Sequence, residues 1–298
     1  MSIESESSYK KFQKFLEKKG ALNKDLSNEE IRSYLDMFNE SISFDFDDEQ
    51  CEKEEESDNL LFKAYEAKNK FEALCLANKS LEINPNNTDA TNFVIAYEKE
   101  PNIRLQKYKE NLEKCKKILD KDNMFTKENI GDFWLIIETR PYMRTKHNCI
   151  LTLIELEKYK DAANECEEML KLCKNDNMGI RSILIGIYIF IEEYEKAEKL
   201  YKKFNEPQLF ILLPSSIMYY KQGEYDKATK VIKKIKKENE YCIDYITGKI
   251  KLSDKQIEKI KNENRYALGT IEEVYMAVKN LEYLTSTVPE YIDWCKQF

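Results

Sequence analysis

Glycine and proline are scarce in this chain, 7 and 6 of 298 residues. The many tight turns of an all-β protein draw on those residues, so their shortage argues against that class and makes all-α the expected one. Long apolar runs are missing as well. The most apolar stretch, 183–191, is about half the roughly 20 residues that a bilayer-spanning helix needs, so no membrane span is expected. The opening MSIESESSYKKFQKF has no apolar signal-peptide core, and a cytoplasmic location is expected. Histidine occurs once, and none of the eight cysteines forms a Cys-x-x-Cys pair. That leaves no closed zinc site and suits reduced, buried thiols. Neither a Walker loop nor Gly-x-Gly-x-x-Gly occurs, which removes the common phosphate cradles. No cofactor and no metal are expected.

What is present is charge, unevenly spread. Residues 1–58 hold 17 acids and 8 bases, while the whole chain carries a net charge of only -7. The acidity peaks in DFDDEQCEKEEESD (45–58), too charged to pack by itself, so 43–58 is read as an acidic linker. Before it, Tyr9, Phe12, Phe15 and Leu16 share one helical face, and Ser27-Asn28-Glu29-Glu30 is a capping box opening a second helix. Residues 1–42 are thus expected to form an N-terminal helical hairpin.

From about residue 59 the chain repeats itself. YYKQGEYDKA (219–228) is close to the tetratricopeptide pattern, and LEKYKDA (156–162) and IEEYEKA (191–197) share its frame. Ala162, Ala197 and Ala228 are 35 and 31 residues apart, around the 34-residue repeat period. Each unit is a pair of antiparallel helices that cannot bury its apolar faces alone, so neighbours stack into one core. The expected architecture over 59–298 is an α-solenoid of tetratricopeptide-like hairpins, clearest over 141–175, 178–207 and 209–240. Capping helices are expected over 241–298, one of them opened by the capping box Thr270-Ile271-Glu272-Glu273.

Several strings in order are more specific than the generic repeat: AYEA at 64–67, SLEINPNNTDAT, DFW at 132–134, ETRPYMR at 138–144, NDNMGIR at 175–181 and YEKAEKLYKKF. In that arrangement the chain resembles bacterial tetratricopeptide relatives of the suppressor-of-tumorigenicity-seven family, over roughly residues 60–298. The resemblance implies an α-solenoid for which no catalytic activity is established.

ETRPYMRTKHNC holds the only histidine close to a cysteine and two arginines. His147 and Cys149 are two residues apart on a helix and point about 200° away from each other, so they form no nucleophile pair. The stretch reads instead as a helix start, with Thr139 or Arg140 at the cap and Pro141 in the first turn. The lysine run 233–237 sits on a solvated outer face, with Val231, Ile232 and Ile235 inward, which disfavours nucleic acid as a ligand.

The remaining candidate surface is the inner face of the array, lined by the first helix of each unit. It would carry Arg140, Arg144, His147, Asn148, Arg181, Phe190 and Tyr220, an apolar floor with a basic edge. Such a groove suits a helix or peptide with an acidic group. The expected task is therefore that of a non-enzymatic scaffold or adaptor holding a protein or peptide partner. An alternative is a peptide-sensing regulator whose acidic N-terminal segment modulates the groove; an unrecognised enzyme is the remaining alternative.

Overall fold

The computed structural model describes residues 3–22, 24, 26–40, 49–204, 206–263 and 265–298. Seventeen α-helices and no β-strand occur among them. The chain divides into two compact units, Met1–Leu156 and Glu157–Phe298.

The first unit contains α1 (Ile3–Lys18), α2 (Asn28–Glu40), α3 (Glu49–Glu66), α4 (Lys70–Ile83), α5 (Thr88–Ile95), α6 (Pro101–Lys121) and α7 (Arg140–Glu155). Sequence neighbours pack on one another from α3 through α7, α5 also meets α3 and α7, and α1 lies on α2 and α3. Local chemistry sets the helix ends. Ser27 Oγ accepts from Glu30 N while the Glu30 carboxylate accepts from Ser27 N at 2.8 Å, the expected capping box. Asn69 and Asn87 cap α4 and α5 through Glu72 N and Ala90 N. Phe12 and Phe15 of α1 each meet the Phe38 ring of α2 at 5.6 Å, an edge-on geometry that aromatic pairs favour.

The acidic run behaves differently from a linker where it is described. Residues 49–58 form the first half of α3, while 43–48 lie outside the described residues. Lys11 and Lys14 of α1 pair with Glu55 and Glu54, and α3 goes on to bury Leu61 and Ala64 against Ala73 and Ala77 of α4. Charge on one side and apolar burial on the other keep the segment helical. Ser57 adds a buried polar tie, donating to Ser80 O at 2.9 Å.

The second unit contains α8 (Tyr159–Leu172), α9 (Ile180–Phe190), α10 (Tyr194–Phe204), α11 (Leu209–Lys221), α12 (Tyr225–Glu238), α13 (Tyr241–Ile246), α14 (Asp254–Glu263), α15 (Ile271–Asn280), α16 (Glu282–Thr285) and α17 (Pro289–Cys295). Here α9 packs on α8, α10 and α11, and α11 packs on α12. A left-handed turn recurs in the chain. Glu157, Glu192 and Gly223, each two residues before a repeat tyrosine, all take positive φ, at 56°, 64° and 74°. After two of these turns, Glu193 N donates to Tyr188 O and Glu224 N to Tyr219 O, both at 2.8 Å, closing the preceding helix. Ala162, Ala197 and Ala228 are all 0% exposed, consistent with small residues at close helix contacts. On α12, Val231, Ile232 and Ile235 are buried and the four lysines of 233–237 are exposed.

Candidate functional site

The first-unit part of the candidate site is built on the start of α7. Thr139 is its N-cap residue and Pro141 lies in the first turn, where a missing N–H costs little. Thr139 Oγ donates to Ile136 O at 2.9 Å and also contacts Phe133 O, fixing the entry of the chain. Arg140 and Arg144, four residues apart, fall on one face.

Both arginines converge on one carboxylate. Arg140 Nη1 donates to Glu6 Oε1 at 3.0 Å, and its Nε donates to Trp134 O at 2.8 Å. Arg144 reaches the same Glu6 through Nη1 and Nη2 at 3.1 and 3.0 Å. It also holds Asp89 of α5, with Nε to Oδ1 at 2.9 Å and Nη2 to Oδ2 at 2.6 Å. Glu6, Asp89 and Arg140 are buried. Burial by itself lowers the Arg144 pKa, but the Asp89 and Glu6 carboxylates outweigh it and hold the guanidinium above its ordinary value. The result is a guanidinium clamp that holds a helix-borne carboxylate away from water.

His147 and Asn148, one turn further along α7, are half-buried. Burial pushes the His147 imidazole below its ordinary pKa, so its neutral form is favoured. Asn148 contributes its backbone carbonyl, which accepts from Thr152 Oγ at 2.8 Å. Lys146, the neighbouring base on this helix, is buried.

Glu6, Asp89 and Arg144 also border a cleft of about 460 Å³ whose lining includes Lys10, Lys14, Asp58 and Asn87. Asn87 Nδ2 donates to Asp58 at 3.0 Å. Burial raises the Asp58 pKa, opposed by the nearby Lys10 charge. Both acids and bases line this cleft, so it presents no single-sign field.

In the second unit, Arg181 stands at the start of α9. Asp176 Oδ1 accepts from Ile180 N at 2.7 Å and its Oδ2 from Arg181 N at 2.9 Å, which satisfies first-turn donors of the helix. The Arg181 side chain returns to Asp176 at 2.9 Å, reaches Glu206 at 2.6 Å, and lies over the Phe204 ring. Burial by itself lowers the Arg181 pKa, but the contacts with Glu206 and Asp176 outweigh it and raise it.

Phe190 and Tyr220 face the chain's own C-terminal helices. Phe190 packs against Tyr159 at 4.2 Å and Tyr283 at 5.5 Å. Tyr220 packs against Tyr291 at 5.4 Å and Trp294 at 5.3 Å. Gly186 of α9 explains how α16 comes so near: a Cβ there would sit 2.6 Å from Tyr283 Oη and 2.7 Å from a Leu281 methyl. The residues read as an inner face thus fall into separate groups. Arg140 and Arg144 meet on Glu6, Arg181 meets Asp176 and Glu206, and Phe190 and Tyr220 belong to two aromatic clusters.

Among the described residues, no three His, Cys, Asp or Glu side chains gather as a metal site requires. No helix among them is long and apolar enough to cross a membrane. No family model matches the chain, and no curated protein matches it.

The sequence reading missed Glu6, Asp89, Tyr283 and Trp294. Glu6 and Asp89 had no local signal pointing to α7, because their partner lies more than fifty residues away in the chain. Trp294, one of only two tryptophans, was the one residue whose rarity and size could have marked it as an anchor.

Proposed function

We propose that the chain is a non-enzymatic interaction protein of tetratricopeptide type, related to the suppressor-of-tumorigenicity-seven family, that holds a helix or peptide of a protein partner through an acidic side chain. The observation that carries this reading is the double-arginine grip on Glu6. Arg140 and Arg144 already hold a carboxylate presented by a helix, with four hydrogen-bonding contacts in all to Glu6 and Asp89 from Arg144 alone. A partner helix with a suitably placed Glu or Asp would satisfy the same donors. The positive-φ turns and buried alanines recurring with the repeat frame support the tetratricopeptide part.

The Glu6 contact also favours the regulatory reading. In it, α1 is an internal competitor: it fills the grip in the isolated chain and yields it to a partner. The aromatic contacts of Phe190 and Tyr220 with α16 and α17 would act likewise on the apolar part of the inner face.

Affinity purification with the full-length chain tests the proposal. A partner retained by the wild type and lost on combining Arg144→Ala with Tyr220→Ala, in protein with an unchanged circular dichroism spectrum, supports it. Unchanged partner binding would reject the assignment of these residues. The regulatory reading expects stronger capture with Glu6→Gln, and equal capture counts against it.

A further inference from the structure

The second unit contains a cavity of about 390 Å³ that none of the foregoing uses. Leu213 of α11 and Tyr291 of α17 line it and are 0% and 1% exposed, so it reaches into the core. Most of its other walls are apolar: Ile246, Ile250, Leu252, Ile257, Val278 and Ile292, every one half-buried, with Tyr245 and Thr285 adding hydroxyls. Branched apolar side chains left partly open around one hollow are what an apolar ligand would cover.

The local fold builds the cavity's one charged corner. Gly248, with φ +78°, reverses the chain after α13, and Ile250 N donates back to Asp244 O at 3.0 Å. That return places Ile250 and Lys251 at the cavity. Lys249 pairs with Asp244 at 3.2 Å, whereas Lys251 is exposed and makes no salt bridge among the described residues. Among the described residues it is the only charged one in the lining. The Tyr291 hydroxyl is already engaged with Ser216.

Apolar walls and one uncommitted cation complement an aliphatic chain that ends in an anion. We infer that this cavity binds a small amphipathic carboxylate, a medium-chain fatty acid, with its chain against Leu213, Ile257 and Val278 and its head at Lys251. The volume lies near the lower end of the roughly 300–1,000 Å³ of ligand pockets, which fits a medium rather than a long chain. The inference is independent of the peptide-binding reading, since it shares no residue with the arginine grip.

Calorimetric titration of the full-length protein with octanoate, decanoate, dodecanoate and decanol tests it. Saturable binding at one site is expected, tightening about fourfold per added methylene until the cavity is full. Ile257→Trp, which fills the hollow from a half-exposed position, is expected to weaken decanoate at least about tenfold; Leu252→Trp is the second variant should the first fail to fold. Lys251→Glu is expected to weaken decanoate about three- to fivefold, the range of an exposed ion pair, and to leave decanol unchanged. Absence of saturable binding, binding of decanol alone, or decanoate binding indifferent to a cavity-filling variant of wild-type helicity would each overturn the inference.

Discussion

Arg144 and Asp89 meet through two hydrogen bonds, Nε to Oδ1 at 2.9 Å and Nη2 to Oδ2 at 2.6 Å, while the same guanidinium holds Glu6 of α1. One side chain thereby ties α7 to α5 and to α1. Removing it would leave the buried Asp89 carboxylate without its arginine and Glu6 held by Arg140 alone.

Arg144→Ala is therefore expected to destabilise the chain by about 3–5 kcal/mol, the range for breaking a buried ion pair. Arg144→Lys should recover only part of that loss, because one ammonium cannot reproduce a planar two-sided fork. Urea denaturation followed by circular dichroism measures both. A loss near zero for Arg144→Ala would mean that Asp89 is readily solvated and that Arg140 alone suffices to hold Glu6.

Tyr283 has a buried hydroxyl without a hydrogen-bond partner among the described residues, pressed over Gly186. Tyr283→Phe is expected to stabilise by about 1 kcal/mol, since the uncompensated polar group is removed and the ring contacts with Phe190 and Tyr159 stay. Gly186→Ala should destabilise despite the better helix propensity of alanine, because Leu281 as well as Tyr283 would have to move. Thermal melts of the two single variants shifting in opposite directions would bear this out.

Glu192 occupies, with φ 64°, the turn position that glycine holds at 223. Left-handed backbone costs a non-glycine residue about 1–2 kcal/mol, partly offset by the greater chain entropy of glycine when unfolded. Glu192→Gly is accordingly expected to raise stability by about 0.5–1 kcal/mol, read as a higher midpoint in urea. The same change one residue earlier, Ile191→Gly, should lower it.

His147 gives the chain a pH dependence of known sign. Its folded pKa lies below the ordinary 6.5 because burial disfavours the charged ring, so the unfolded chain binds more protons as pH falls through 6.5. Stability contributed by the neutral ring is present above that pH and lost below it. His147→Gln should flatten the fall in melting temperature between about pH 7 and pH 5.5, and as the only histidine it has no other imidazole to mask the change. An unaltered slope would show that this ring is not held neutral.

Much of the architecture is legible because it is written locally. Ser27 with Glu30, Thr270 with Glu273, and the start of α7 at Thr139-Arg140-Pro141 all announce helix ends in three or four residues. Even there, tertiary context adjusts the detail: the Glu273 carboxylate accepts from Gly269 N and from Asn239 Nδ2 rather than completing the box on Thr270. In α6 Leu105, Tyr108, Cys115 and Leu119 are buried, and Asn111 rather than the apolar Leu112 joins them. Asn111 reaches Thr88 O and Asn92, contacts across some twenty residues that no helical period reveals. The acidic half of α3 looks like a linker in the sequence for the same reason, since its partners Lys11 and Lys14 lie on another helix. The site was legible only as residue types. That Arg140 and Arg144 share Glu6, and that Phe190 and Tyr220 lie under Tyr283 and Trp294, depends on chain segments far apart in sequence.

The most direct test of the acidic-helix grip uses the chain's own α1 as probe. A synthetic peptide of residues 3–20 is titrated into full-length protein carrying Glu6→Gln, whose internal helix has lost its carboxylate. Saturable one-to-one binding is predicted, abolished when the peptide also carries Glu6→Gln and abolished when the protein also carries Arg144→Ala. No binding, or binding indifferent to both changes in correctly folded protein, would contradict the account.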